Sequence, residues 1–325
     1  MNKKAPPPYH VAVNGLPHFC KKLTELVNGD GWKVPYRSPF HPIGMAARFS
    51  DLARCDLAYS WMGRISMGKF LRAAKSLGKT KIIMLWCGSD ALFAKDDLTR
   101  GKMDRWVMER VHWAVSPWLA EEVRSLGVAC EYVQTSFVGL APLVPLPKRF
   151  SVLVYAPLLA KAHLYGLDLI LEAARKLPAI DFKLVGLKES SIPECPANLQ
   201  VYGHMDLAKF YREATVLWRP VRHDGLSFMV LEALAHGRHV LYSYSLPGCV
   251  QVASVEAACG ELERLRDLHE SHALGLNEQG RQIIARDYAP PVVRSRLLDR
   301  WKEIILSPEN EFGRASARSA VSDGS

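Results

Sequence analysis

Short apolar runs rich in β-branched and aromatic residues alternate with longer amphipathic stretches along the chain. This pattern predicts parallel sheets with helices on both faces. In the first half it predicts strands at 10–14, 32–35, 56–60, 81–86, 113–116 and 131–134, and helices at 19–27, 67–77, 104–111 and 117–126. Pro117 suits a first helical position and Gly127 a C-terminal stop. The segment 140–149, LAPLVPLPKR, has three prolines and no helical period, so it reads as a connection between domains. The alternation then restarts, with strands at 151–155, 182–185, 199–202, 215–219 and 239–242, helices at 166–176, 206–212 and 228–236, and a last helix at 291–306.

The expectation is an α/β protein of two tandem Rossmann-like domains, 1–147 and 148–290, facing a central cleft lined by the carboxyl ends of both sheets. The helix 291–306 follows, and then a tail, 307–325, with almost nothing to bury; the Lys- and Pro-rich start, 1–8, reads the same way.

A hydrophobic fraction of 49% with 23% charged residues is that of a globular protein and gives no sign of disorder in the body of the chain. No apolar run reaches the length of a membrane span, and no signal-peptide core is present, which points to the cytoplasm. Seven scattered cysteines without a C-x-x-C pair suit a reducing compartment and offer no zinc site. The net charge of +9 sits wholly in residues 1–148, where 21 Lys and Arg face 12 Asp and Glu. A basic first half suggests an anionic partner: an inner-membrane surface met peripherally, a phosphorylated acceptor or nucleic acid. Lys21, Lys22, Lys69, Arg72 and Lys75 lie on two predicted helices and are the candidates for that contact.

The chemistry concentrates in 219–237, RPVRHDGLSFMVLEALAHG. The chain leaves a strand, turns through Asp224 and Gly225, and enters an apolar helix with Ser227 as N-cap. The backbone amides from Leu226 onward then face a potential anion such as a diphosphate. Asp224 and Glu232, eight residues apart, are acceptors suited to sugar hydroxyls.

Asp224, Gly225, Glu232, Ala233, Ala235 and Gly237, in this strand, turn and helix context, resemble the signature of the family 4 retaining glycosyltransferases of glycosyltransferase group 1, which have the two-Rossmann GT-B fold. The stretches 113–119 (WAVSPWL) and 166–174 (GLDLILEAA) look like further landmarks of that family, and the last helix resembles the one that crosses back to brace the first domain. The resemblance implies that Asp224 contacts the donor sugar and Glu232 the nucleotide ribose. It also implies that Gly15, after the first strand, approaches the donor phosphates.

The family's usual Arg and Lys after the first strand of the second domain are missing, because Tyr165 stands where the Lys is expected before Gly166. Lys161 and Arg219 are the replacements expected to hold the diphosphate, although Arg219 could instead pair with Asp224 across the turn. In the first domain Asp90 is a candidate catalytic or acceptor-binding residue, with Ser89, Cys87 and His18 on the acceptor side. Ser89 or Asp90 could equally be a helix cap.

No Asp-x-Asp pair or metal-ligand spacing occurs, so a metal-independent hexosyl transfer without a cofactor is expected. The acceptor would be a sugar, a glycan, a lipid-linked molecule or another small molecule. Two alternatives stay open: a catalytically silent nucleotide-sugar or glycan binding module of the same fold, and a nucleic-acid-binding protein, which no recognisable module supports.

Overall fold

The structure is a computed structural model that describes residues 9–38, 42–188, 192 and 194–308. The expectations for 1–8 and for most of the tail therefore lie outside the described residues. The chain divides into two compact units, one of residues 1–136 with 290–325 and the other of residues 137–289.

Unit 1 runs β1 (Tyr9–Gly15), α1 (Pro17–Val27), β2 (Trp32–Lys33), α2 (Pro42–Arg54), β3 (Leu57–Trp61), α3 (Lys69–Ser76), β4 (Ile82–Trp86), α4 (Ser89–Thr99), α5 (Arg105–Met108), β5 (Val111–Ala114), α6 (Pro117–Ser125) and β6 (Cys130–Tyr132). Its six strands form one parallel sheet in the order β2-β1-β3-β4-β5-β6. Strands β3 and β4 are buried at every position, which explains why β4 is a continuous apolar run and β3 is apolar except for Ser60.

Unit 2 runs β7 (Ser151–Ala156), a 3₁₀ turn (Leu159–Lys161), α7 (Leu167–Lys176), β8 (Asp181–Gly186), β9 (Leu199–Val201), α8 (Leu207–Glu213), β10 (Val216–Arg219), α9 (Phe228–Ala235), β11 (His239–Tyr242), β12 (Val250–Gln251), α10 (Val255–Glu270), α11 (Glu278–Ile283) and a π turn (Ile284–Tyr288). Its parallel sheet has the order β12-β11-β10-β7-β8-β9. Its core gathers Val152, Val154, Phe182, Leu184, Val216 and Trp218 from the strands, with Ile170, Ala173, Ala174, Ala258 and Leu262 from α7 and α10.

Helix α12 (Pro290–Leu306) belongs to unit 1. Trp301 is fully buried, its ring 5.2 Å from that of Tyr59 and 5.8 Å from that of Trp32. Arg294 donates to Asp30 at 2.9 Å, Arg300 donates to Glu131 at 2.5 Å, and Lys81 donates to the carbonyl of Ile305 near the helix end.

The first division falls at 136/137, ahead of the boundary expected at 147/148, because the proline-rich segment is bonded to unit 2. The Val138 amide donates to Tyr288 O at 2.9 Å, Arg238 donates to Val144 O at 2.7 Å, and Arg281 donates to Ala141 O at 3.0 Å. A segment that cannot pair its own carbonyls in a helix or sheet finds donors on arginine side chains instead.

Two other expectations change. The helix expected over 104–111 is only the single turn α5, because β-branched Val111 already belongs to β5. Helices α2, α4, α10 and α11 and strand β12 are additional. Helix α4 buries only Asp90, Ala91 and Ala94 and so lacks a clear apolar stripe. Helix α10 buries Val255, Ala258, Cys259, Leu262 and Leu265 at full helical spacing, a stripe that is legible in the sequence.

Replacing Trp301 with Ala is expected to cost unit 1 about 3–5 kcal/mol. Chemical denaturation monitored by tryptophan fluorescence checks this, and a loss below about 1 kcal/mol would show that α12 does not anchor there.

Candidate functional site

In a doubly wound sheet, ligands bind beyond the strands' carboxyl ends at the point where the strand order reverses. In unit 2 that point lies between β7 and β10, since the chain builds β8 and β9 on one side of β7 and β10, β11 and β12 on the other. Arg219 is the last residue of β10, and its register partner on β11 is Tyr242. The Arg219 side chain is only 8% exposed. Its Nε and Nη2 reach the same Asp224 oxygen, at 3.2 and 3.1 Å, and Tyr242 Oη donates to that oxygen at 3.2 Å. The Asp224 amide in turn donates to Tyr244 Oη at 3.2 Å.

The guanidinium carbon lies 5.0 Å from the centre of the Tyr165 ring and 5.8 Å from that of Tyr155. Burial works against the Arg219 charge, but Asp224, Tyr242 and Tyr165 outweigh it and hold the pKa above its ordinary value. The pairing across the turn is therefore present. It leaves Nη1, which lies 4.0 Å from Met229 Sδ, outside the carboxylate contact.

The loop after β7 is tied to the loop after β10. Arg222 donates to both Asp168 oxygens, at 2.8 and 2.6 Å, and to His163 O at 2.6 Å, while its amide donates to Leu164 O at 2.9 Å. The Arg222 bonds hold the Asp168 carboxyl below its ordinary pKa. Gly166 has φ +65° and lies against Pro220, where a Cβ would sit 1.9 Å from the carbonyl oxygen, so only glycine fits. Lys161 ends the 3₁₀ turn of this loop and is exposed.

Ser227 occupies the N-cap position of α9, but its side chain makes no capping bond. The local stop is made by backbone, with the Val230 amide donating to Ser227 O at 3.1 Å. Gly225, Leu226 and Ser227 are all buried. On α9 the side chains of Met229, Val230, Leu231, Ala233, Leu234 and Ala235 are buried, whereas Glu232 is half-buried and accepts from Tyr211 Oη at 2.8 Å. Burial and the neighbouring Glu232 push the Tyr211 phenol well above its ordinary pKa, while Arg219 acts in the opposite direction.

In unit 1 the strand order reverses between β1 and β3. Asn14 Nδ2 donates to Ser60 Oγ at 3.0 Å across these strands, and Arg48 of α2 donates to Asn14 Oδ1 at 2.7 Å. Gly15 follows with φ +145°, packed so closely on Trp61 that a Cβ would meet its backbone oxygen at 2.8 Å. His18 is exposed in the first turn of α1, its ring 5.5 Å from that of Phe19.

Asp90, the candidate catalytic or acceptor-binding residue, is held by backbone amides. Its buried carboxylate accepts from the amides of Gly63 at 2.9 Å, Cys87 at 3.0 Å, Gly88 at 2.8 Å and Ala91 at 3.2 Å. These donors occupy both oxygens and join the loop after β3 to the loop after β4, so Asp90 ties the two loops together. Ser89 is exposed at the first position of α4, and burial together with Asp90 pushes the Cys87 thiol well above its ordinary pKa, far from a reactive thiolate. Among the described residues no group of three His, Cys, Asp or Glu side chains could hold a metal ion.

The two units define an α/β protein of the GT-B type, two Rossmann-like folds in tandem. Residues 150–262 match the family model described as Glycosyl transferases group 1. Among solved structures, the chain resembles the pneumococcal O-GlcNAc transferase GtfA in complex with UDP and GlcNAc, with TM-score 0.58 at 14% identity over 81% of this chain and 60% of that one. It also resembles the lipopolysaccharide outer core galactosyltransferase WaaB, with TM-score 0.58 at 12% identity over 91% of this chain and 98% of that one. A third similar structure is the sucrose-phosphate synthase of Thermosynechococcus elongatus, with TM-score 0.57 at 11% identity over 85% and 81%. The chain spans 58–60% of the length of the first three structures it matches. A comparison with curated protein sequences found no match.

Exchanging Asp90 for Asn would turn an amide NH₂ toward backbone N–H donors, and is expected to cost about 1–3 kcal/mol of stability. Urea unfolding measures it; an unchanged midpoint with lost turnover would return Asp90 to a catalytic role.

Proposed function

We propose that the chain is a retaining, metal-independent glycosyltransferase that moves a sugar from a nucleotide-diphosphate donor to a sugar, glycan, lipid-linked or other small acceptor. The observation that carries this reading is the buried Arg219–Asp224 pair at the point of strand-order reversal in unit 2, inside the part of the chain that matches group 1 glycosyltransferases. No cofactor beyond the donor is part of the proposal.

In this reading Arg219 keeps Asp224 oriented through Nε and Nη2 and offers Nη1 to the donor's β-phosphate. Lys161, exposed on the neighbouring loop, adds a second cation. Together they neutralise the charge that develops on the departing diphosphate. Asp224 accepts from a donor sugar hydroxyl, and Glu232, oriented by Tyr211, accepts from the ribose. In unit 1, Ser89 at the start of α4 and His18 in the first turn of α1 are exposed and are the proposed acceptor-side positions, and Gly15 is the proposed point of close backbone approach to a phosphate. Rate acceleration then comes from positioning and electrostatics, with attack on the face that the diphosphate leaves.

A second reading, a donor-binding module without turnover, draws on Tyr165 standing in place of the expected lysine. Release of nucleoside diphosphate from a panel of nucleotide sugars separates the two, since a binding module protects the donor.

The relative crystallised with UDP makes UDP the first probe. Glu232→Gln should weaken UDP binding by about 10- to 150-fold, the worth of a hydrogen bond to a charged group. Asp224→Asn should lower kcat by a similar factor and change UDP affinity far less. Calorimetric titration and steady-state kinetics check both, and wild-type values in the two variants would end this assignment.

A further inference from the structure

An open cleft of about 450 Å³ in unit 1 is lined by Met103, Arg105, Met108, Arg110, Gly127 and Ala129, together with Glu109. These residues precede β5 and β6, so the cleft lies at the amino ends of the strands, on the edge opposite the one that carries Gly15, His18 and Asp90. Met103 is 51% exposed and Met108 is half-buried, which leaves apolar surface open in the cleft. Arg110 is fixed beside them: it donates to Trp106 O at 2.9 Å and to Thr80 O at 3.2 Å, with its guanidinium carbon 4.8 Å from the centre of the Trp106 ring.

The charge at this edge has mainly one sign. The segments 77–81, 100–110 and 125–129 carry six cations, Lys79, Lys81, Arg100, Lys102, Arg105 and Arg110, against two carboxylates. Asp104 accepts from the Val107 amide at 3.2 Å as the cap of α5, and Glu109 accepts from Arg105 at 2.7 Å. An occupant that brings an apolar side chain together with negative charge therefore gains on both counts.

The last turns of α12 lie beside the same strand starts. Arg300 donates to Glu131 of β6 at 2.5 Å, and Lys81, just ahead of β4, donates to Ile305 O. Thr80, next to Lys81, accepts from Arg110 of the cleft. The chain after Pro308 lies outside the described residues and reads Glu309-Asn310-Glu311-Phe312, two carboxylates followed by the one aromatic residue of 307–325. The four residues from Pro308 to Phe312 span up to about 13–14 Å when extended.

We propose that the cleft receives the chain's own segment 309–312, with Phe312 against Met103 and Met108 and with Glu309 and Glu311 toward Lys102 and Arg105, fastening the end of α12 over the starts of β4, β5 and β6. An aromatic ring on methionine sulfur gains a contact beyond the area it covers. The exposed ion pairs add little each and make docking weaken as salt rises. This inference goes beyond sugar transfer and does not rest on it.

The test is hydrogen–deuterium exchange of the full chain, read by mass spectrometry, with a synthetic peptide of residues 305–325 as the undocked standard. The amides of 310–314 are expected to exchange at least about tenfold more slowly in the protein than in the peptide, at every protein concentration. Phe312→Ser and, from the cleft side, Met103→Asp should each return them to the peptide's rate. Arg105→Glu should speed their exchange about threefold, and adding Glu311→Lys should reverse that change. Thermal unfolding confirms that each variant folds, and the thermal shift with UDP is read separately, so failure of the donor reading leaves the exchange result standing. Wild-type exchange at the peptide's rate, or protection that survives Met103→Asp, would overturn the proposal. Protection that grows with protein concentration would assign the cleft to the segment of a second copy and also overturn it.

Discussion

A guanidinium withdrawn from water at the end of a central strand is the constraint around which unit 2 is arranged. Removing one partner from a buried ion pair typically costs about 3–5 kcal/mol, because the other charge is left uncompensated. Arg219 therefore fixes Asp224, and the pair fixes the turn that leads into α9. The surrounding tyrosines fit the same constraint. Tyr155 and Tyr165 present ring faces to the cation, and Tyr242 gives Asp224 a further donor. Tyr165, at the position where a lysine would add charge, instead helps a single arginine tolerate burial.

Both units prepare the carboxyl ends of their sheets by tying loops together. In unit 2 the tie is Arg222, which reaches Asp168, His163 and Leu164 from the next loop. In unit 1 it is Asp90, whose carboxylate gathers four backbone amides, three from two loops and one from the start of α4. Loops held this way keep side chains in place before a ligand arrives, so less binding free energy goes into ordering them.

The sheets were legible in the sequence because fully buried parallel strands must be short apolar runs, as in β4 (IIMLW) and β7 (SVLVYA). Helix α2 was hidden because its apolar positions face outward, and the boundary between units was misplaced because a proline-rich segment reads as a linker whatever it is bonded to. Asp224, Glu232 and Arg219 could be singled out since they lie within one stretch of chain. Tyr155, Tyr165, Tyr211 and Tyr242 could not, since their relation to that stretch depends on strand order and register, which periodicity does not reveal. Whether Asp90 points at a substrate or at backbone amides depends on loop shape alone, and a sequence does not distinguish the two.

What Arg219 holds decides how unit 2 would meet a diphosphate. Calorimetric titration of UDP and UMP into wild type and Arg219→Ala isolates the β-phosphate, since both ligands meet the same variant and share every other group. If Arg219 holds the β-phosphate, UDP affinity falls by about 10- to 150-fold while UMP affinity changes by less than about threefold. Equal losses for the two ligands, or none, would contradict it and leave Arg219 as the partner of Asp224 alone.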